Sequence, residues 1–238
     1  MNKAMLGTAL FAAALTLSCG LFSTRATGNI ITQNRDLADF DKIEAGNAFE
    51  LEITQGEAYD VVIRVDEAYV DDLQVTKDGR VLKIGLNPNS GLGSINGTLE
   101  AEITMPELVE LDLSGSSDAT VAGFESSEPF YASLSGNSSL QGSLEAGDTR
   151  FEASGNSTIE LSGSGGYATA IASGNSDIDL ASFPVNNATA EAGGSSTLIL
   201  NVTGNLDAEA SGGSDIYYIG DPNLGVVTET GGSSVRPR

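Results

Sequence analysis

The chain has 238 residues, of which 40% are hydrophobic, and it carries a formal net charge of −22 at pH 7 with no histidine. Its length and apolar content are sufficient for one sizeable domain or two small ones with a buried core. The charge would repel nucleic acids and anionic lipids, and the lack of histidine excludes a Ser-His-Asp triad and a histidine-ligated zinc site.

The first segment of the chain is typical of an export signal. A basic start precedes an apolar run over residues 6–17, which is too short to span a bilayer. The only cysteine, Cys19, follows a Leu-Ser pair, and this arrangement resembles the lipobox of bacterial lipoproteins, although Thr16 stands where leucine is usual. We predict a signal and linker over 1–27, acylation of Cys19 and a lipoprotein of the cell envelope, at the outer membrane. The alternative is an ordinary signal, cut after Ala26, that removes the cysteine.

Residues 28–110 contain short stretches of alternating polar and apolar residues. The stretches "KIEAGNAFELEI", "VVIRV", "RVLKIGL" and "LEAEITM" predict β-strands with one buried face. The first of them is a shorter copy of the repeat that follows, with Gly46 and Asn47 at its corner. We expect the others to form a small antiparallel elaboration that covers one end of the repeat region.

A Gly-x-Ser unit recurs every 18 to 21 residues through the remaining segment, 111–238. Alternating runs flank each unit, so the period predicts coils of two or three strands that stack on one another. Glycine permits a positive φ at a corner, and serine can bond to nearby backbone groups. The predicted corner ladder consists of Gly115, Gly136, Gly155, Gly174, Gly194, Gly212 and Gly232 with Ser117, Ser138, Ser157, Ser176, Ser196, Ser214 and Ser234.

The predicted fold is therefore all-β. It is a single-stranded β-helix, or β-solenoid, with coils of about 20 residues and an N-terminal antiparallel β elaboration. At the other end, "YYIGDPNLG" and "VRPR" supply aromatic residues and prolines, and we expect them to form a second cap. The predicted core column is Leu140, Ile159, Ile178, Leu198 and Ile216.

Several ordered landmarks resemble a known bacterial family. The stretches "TGNIITQNRDLADFDKIEAGNAFELEITQG", "MPELVELDLSGSSDATV" and "DIYYIGDP", with the repeated S-G-N-S units between them, resemble the putative auto-transporter adhesin, head GIN domain family over about residues 28–222. The resemblance implies an exported, often lipid-anchored β-helical protein. The family favours S-G-S-G-D-like turns, whereas Asn, Thr or Ser often replaces the second Gly or the Asp here, so the resemblance assigns no ligand to these turns.

Several polysaccharide lyases and hydrolases are β-helices, so an enzyme that uses Asp or Glu carboxylates is the alternative function. Asp118, Asp177 and Asp215 occupy the same place in their repeats. Serine or threonine occupies that place in the intervening coils, which separates the last two carboxylates by roughly 10 Å. This spacing is wide for one metal ion, and no copy matches the calcium-binding G-G-x-G-x-D repeat. We predict no catalytic residues, no metal and no cofactor.

The predicted function is a non-enzymatic, adhesin-like binding or structural module. Its expected partners are a glycan, an envelope or surface protein, or a second copy of the chain, with the lipid at Cys19 as its contact with the membrane. A rigid stack of coils would present flat, polar strand faces to such a partner.

Overall fold

The computed structural model describes residues 26–88 and 95–238. Most of the predicted signal segment, with Cys19, lies outside the described residues, as do residues 89–94. In the described part of the chain, no helix is long and apolar enough to cross a membrane. This part forms 21 strands and one short 3-10 helix.

The N-terminal part holds seven of these strands. They are β1 (Ile30–Asn34), β2 (Lys42–Ala45), β3 (Glu50–Gln55), β4 (Asp60–Asp66), β5 (Leu73–Asp78), β6 (Val81–Leu86) and β7 (Leu99–Met105), with the 3-10 helix (Glu67–Asp72) between β4 and β5.

The remaining strands form seven successive coils of two strands each. They are β8 (Glu110–Leu113) and β9 (Asp118–Glu125), β10 (Phe130–Leu134) and β11 (Ser139–Glu145), β12 (Thr149–Ala153) and β13 (Thr158–Ser164), β14 (Tyr167–Ala172) and β15 (Asp177–Val185), β16 (Asn187–Ala192) and β17 (Thr197–Val202), β18 (Asn205–Gly212) and β19 (Asp215–Ile219), and β20 (Asn223–Gly231) and β21 (Ser234–Pro237).

Each coil contributes one strand to each of two facing sheets. Sheet A has the order β1-β4-β7-β3-β9-β11-β13-β15-β17-β19-β21, and sheet B has the order β20-β18-β16-β14-β12-β10-β8-β2-β6-β5. From β8 onward every pairing within a sheet is parallel and joins a strand to its equivalent in the next coil. The prediction of a β-solenoid with coils of about 20 residues is confirmed.

The N-terminal part continues this stack and then closes it with antiparallel strands. β2 and β3 form a coil that pairs in parallel with β8 and β9, as the shortened repeat predicted. β6 and β7 lie one layer further out, also in parallel. β4 and β1 then extend sheet A in antiparallel fashion, and β5 does the same for sheet B. The predicted antiparallel elaboration is confirmed.

The core lies between the two sheets and is stacked in columns. The large aliphatic residues of sheet A stand in register from coil to coil, as Leu140 with Ile159 and Ile178 with Leu198. They are at most 1% exposed. In β14, β16 and β18, sheet B supplies mainly alanines to the core, such as Ala170 paired with Ala190, whereas β10 and β12 supply Phe130 and Phe151.

The segments expected to form a second cap instead continue the solenoid, since "YYI" ends β19 of the sixth coil while "NLG" and "VRP" lie in β20 and β21 of the seventh. β20 pairs in parallel with β18, and β21 with β19. Pro237 stands opposite Tyr218 in this last pairing, on an outermost strand where its missing N–H is tolerated. β20 is exposed along its whole length.

Candidate functional site

The predicted corner glycines lie at the turns between the two sheets. Six of the seven adopt φ between +70° and +82°; they are Gly115, Gly136, Gly155, Gly174, Gly194 and Gly212. In the last coil the corner comes one residue earlier than predicted. Gly231 pairs with Gly212 and has φ +77°, so Gly232 does not hold this position.

The corner serines are buried and bonded to the backbone. Ser117, Ser138, Ser157, Ser176, Ser196 and Ser214 are at most 1% exposed, and each hydroxyl donates to the carbonyl three residues earlier at 2.8–3.0 Å. Ser233, not Ser234, makes this bond in the last coil, because the corner is shifted there; Ser234 instead pairs with Asp215. These hydroxyls are used inside the fold and are not presented to a ligand.

The three aspartates of the predicted carboxylate column do share one face of sheet A. In register, Asp118 is followed by Ser139, Thr158, Asp177, Thr197 and Asp215. The hydroxyl of Ser139 bonds to Asp118, and that of Ser234 bonds to Asp215. Across residues 26–88 and 95–238, no group of three or more acidic, Cys or His side chains is arranged to hold a metal ion. The structure therefore aligns the carboxylates without bringing them together.

A different cluster of functional side chains lies on the outer face of sheet B. Three adjacent strands place six residues in two rows: Glu110, Tyr131 and Arg150 in one row, and Asp112, Ser133 and Glu152 in the other. We call these six residues the tyrosine grid. They line a shallow cavity of about 240 Å³. Strand spacing makes the grid about 10 Å long across the strands and about 7 Å wide along them.

The strand pattern explains why these side chains point outward. β10 reads "FYASL", in which Phe130, Ala132 and Leu134 face the core and the alternate residues face solvent. Tyr131 is consequently 44% exposed. The ring has no aromatic partner among the stacked rings of the described chain. It is therefore open to a ligand.

The charges of the grid are arranged in pairs. The Arg150 guanidinium bonds to the Glu152 carboxylate, with an Nε to Oε1 distance of 2.5 Å. Burial raises the pKa of the Asp112 carboxyl, and repulsion from Glu110 and Glu44 raises it further. The grid thus offers carboxylate acceptors on both sides of the tyrosine and a guanidinium donor on one.

The sequence contained a signal for this site that was not used. Arg150 is the only basic residue between Lys83 and Arg236, and it follows Tyr131 by 19 residues, close to one repeat. The repeat spacing alone would have placed it beside the tyrosine on the neighbouring strand.

The comparisons with known proteins agree with the fold. The family model described as putative auto-transporter adhesin, head GIN domain matches residues 39–222. The solved structure of a putative adhesin from Bacteroides fragilis has a TM-score of 0.80 and 21% identity, covering 90% of this chain and 99% of that chain. A putative lipid binding protein from Parabacteroides distasonis has a TM-score of 0.70 and 20% identity, covering 90% and 98%. A putative adhesin from Parabacteroides merdae has a TM-score of 0.64 and 18% identity, with the same coverage. No curated protein matches the sequence.

Proposed function

This chain belongs to the putative auto-transporter adhesin, head GIN domain family, and from that premise we propose that it is a non-enzymatic binding module of the bacterial cell envelope. The partner is a glycan or a surface protein, and the binding surface is the outer face of sheet B around the tyrosine grid. The proposal follows from the match over most of the chain together with the geometry of that face.

The observation that carries the proposal is the exposed ring of Tyr131 between paired charges. The predicted corner residues are buried and bonded to the backbone, so they serve the fold. The residues of the tyrosine grid, by contrast, face solvent: an aromatic ring, a guanidinium and three carboxylates project from the outer face of sheet B. Exposed aromatic residues beside arginine are enriched at binding surfaces.

We extend the proposal to export and anchoring. Residues 1–27 are a signal and linker with a lipid on Cys19, residues 28–110 form the N-terminal β segment with the first coil and cap, and residues 111–238 form the solenoid repeats. The start of the described chain supports this arrangement. The backbone N–H groups of Thr27 and Gly28 donate to Asp66 at 3.0 and 2.8 Å, so the chain enters at the capped end. An anchor there leaves the outer face of sheet B free.

Binding by the purified full-length chain tests the proposed function. We expect saturable binding to immobilised glycans or to cell-surface extracts. Absence of saturable binding to both would contradict a binding module. Hydrolysis or elimination of an acidic polysaccharide by the wild type, lost in Asp177→Asn, would favour the enzyme instead.

Metabolic labelling with palmitate tests the anchor independently. The wild-type chain is expected to take up the label and to fractionate with membranes, whereas Cys19→Ser should lose both properties. Labelling that survives the substitution would contradict acylation at this cysteine.

A further inference from the structure

We infer that the tyrosine grid binds a neutral, pyranose-containing glycan. This inference rests on the proposed function and deepens it, since it names the site and the chemical class of the ligand. Three features of the grid lead to it: its exposed ring, the disposition of its polar groups and the charge of its surroundings.

Tyr131 is 44% exposed and its ring takes part in none of the aromatic ring pairs of the described residues, so part of this flat apolar surface is open to a ligand. One face of a pyranose ring carries mainly C–H groups, so stacking it on tyrosine removes apolar area from water on both partners. Tyrosine loses little conformational entropy on binding because only two side-chain angles are fixed. Here the angles are further limited by the parallel strands on both sides.

The polar groups around the ring match the rim of a sugar. Sugar hydroxyls both donate and accept hydrogen bonds, and the grid supplies carboxylates at Glu110 and Glu152 together with the Arg150 guanidinium, which is bonded to Glu152. Hydrogen bonds to charged groups are the stronger kind. A grid of about 7 by 10 Å accommodates one or two pyranose rings. The carboxylates are therefore positioned to accept from hydroxyls at the ring's edge while its face lies on Tyr131.

The charge around the grid selects against anionic ligands. Three carboxylates stand in the grid against one guanidinium, and Lys42, the nearest further base, is already paired with Glu110. The chain as a whole carries −22. A sialylated or uronic-acid glycan would be repelled during its approach, whereas a neutral one would not. Binding of a neutral glycan should also depend little on salt.

Variants of the full-length chain on a glycan array, followed by titration of each neutral hit, test the inference. Tyr131→Ala is expected to weaken binding about tenfold or more, because the stacking surface is lost. Tyr131→Phe keeps the ring and should bind within about threefold of the wild type. Tyr167→Ala is the matched control: this tyrosine is 39% exposed on β14, outside the grid, and its hydroxyl bonds to Thr189. It should bind like the wild type.

The outcomes separate this inference from the proposed function. Binding confined to acidic glycans, or an equal loss in Tyr131→Ala and Tyr167→Ala, would overturn the grid assignment. Saturable binding to surface proteins without any neutral glycan would overturn the inference and leave the binding module standing. No binding of either class would overturn both.

Discussion

The buried corner serines act as bridges between successive coils. The hydroxyl of Ser176 donates to the Ser173 carbonyl at 3.0 Å and accepts the N–H of Ser157 from the preceding coil at 3.3 Å. Ser176→Ala should therefore leave two backbone groups unsatisfied and lower the free energy of unfolding by about 1–3 kcal/mol. Ser195→Ala, at an exposed position one turn later, should change it by less than about 0.5 kcal/mol. Urea unfolding of both variants measures the difference; equal effects would contradict the bridging role.

Asp66 holds the start of the chain against β4 and the 3-10 helix. The backbone N–H of Ala68, with those of Thr27 and Gly28, donates to its carboxylate and lowers its pKa to about 2. An unfolded aspartate has a pKa of about 3.9, so the carboxylate stabilises the fold above that pH. The contribution of Asp66 to the free energy of unfolding should therefore disappear as the pH falls from about 4 to about 2.

Thermal unfolding across pH checks the role of this carboxylate. Asp66→Asn should have a lower Tm than the wild type at pH 7, because an amide offers one acceptor oxygen instead of two, and the two curves should converge near pH 2. Asp71→Asn, at an exposed carboxylate of the same 3-10 helix, is the control. If the Tm of Asp66→Asn stayed below that of the wild type by the same amount down to pH 2, the lower Tm could not be due to loss of the Asp66 charge.

From Gly155 to Gly212, the corner glycines leave no room for a Cβ, because each lies against the backbone of the corner in the coil below. Gly174 has φ +79°, and a Cβ built there would lie 2.7 Å from the carbonyl oxygen of Gly155 in the coil below. Gly79, in the β5–β6 turn, has φ +60° with open space around it. Gly79→Ala should cost about 1–2 kcal/mol for the left-handed conformation alone. Gly174→Ala adds the backbone clash and should cost about 2–4 kcal/mol by urea unfolding. Equal costs would show that neighbouring coils separate easily.

The coil architecture was predictable because one local rule repeats. Each Gly-x-Ser corner fixes a turn, and the alternation around it fixes the buried face, so a residue such as Ile159 could be assigned to the core from its own coil. The last corner was misplaced because "GGSS" offers two registers, and pairing of β20 with β18 selects the earlier one. The layer formed by β6 and β7 beyond the first coil depends on their pairing with β2 and β3, which are distant in sequence, and no local pattern encodes that pairing.

The tyrosine grid was not predicted for a related reason. Its residues come from three coils, and each is unremarkable within its own coil. Tyr131 occupies a solvent-facing position in the alternation of β10, and Arg150 occupies one in β12. The 19-residue offset between the ring and the guanidinium gains its meaning only when successive coils are aligned, and the parallel register then pairs Tyr131 with Arg150. A site of this kind is a property of the stack, so it emerges when the coils are aligned by structural register.

The two ends of the stack differ in whether further strands cover them. Antiparallel strands cover the N-terminal end, whereas the last coil has no strand beyond it in the described chain. Leu224 and Val227 continue the buried column positions of Leu206 and Ala208, yet they are 47% and 40% exposed. Such an end is prone to edge-to-edge pairing between molecules.

Glu229 is placed to prevent that pairing. It stands in the core-facing column directly after Ala192 and Ala210, where the preceding coils carry alanine, and its Oε1 accepts the Val235 N–H at 2.5 Å. Glu229 occupies a core-facing position, so its charge would be buried without a counter-ion if the coil of another molecule stacked on β20. The wild-type chain should therefore not self-associate through this end, despite its exposed apolar residues.

Removal of the Glu229 charge should allow the last coils of two molecules to associate. Glu229→Ala is expected to form concentration-dependent dimers at micromolar concentrations, seen by light scattering after size-exclusion chromatography, because two open ends could then pair their strands and cover Leu224 and Val227. Glu209→Ala removes the same charge from the outer face of the neighbouring strand β18 and should behave like the wild type. A monomeric Glu229→Ala variant would contradict this role of Glu229 and would mean that another feature of the edge, such as Pro237 on β21, is enough to prevent pairing.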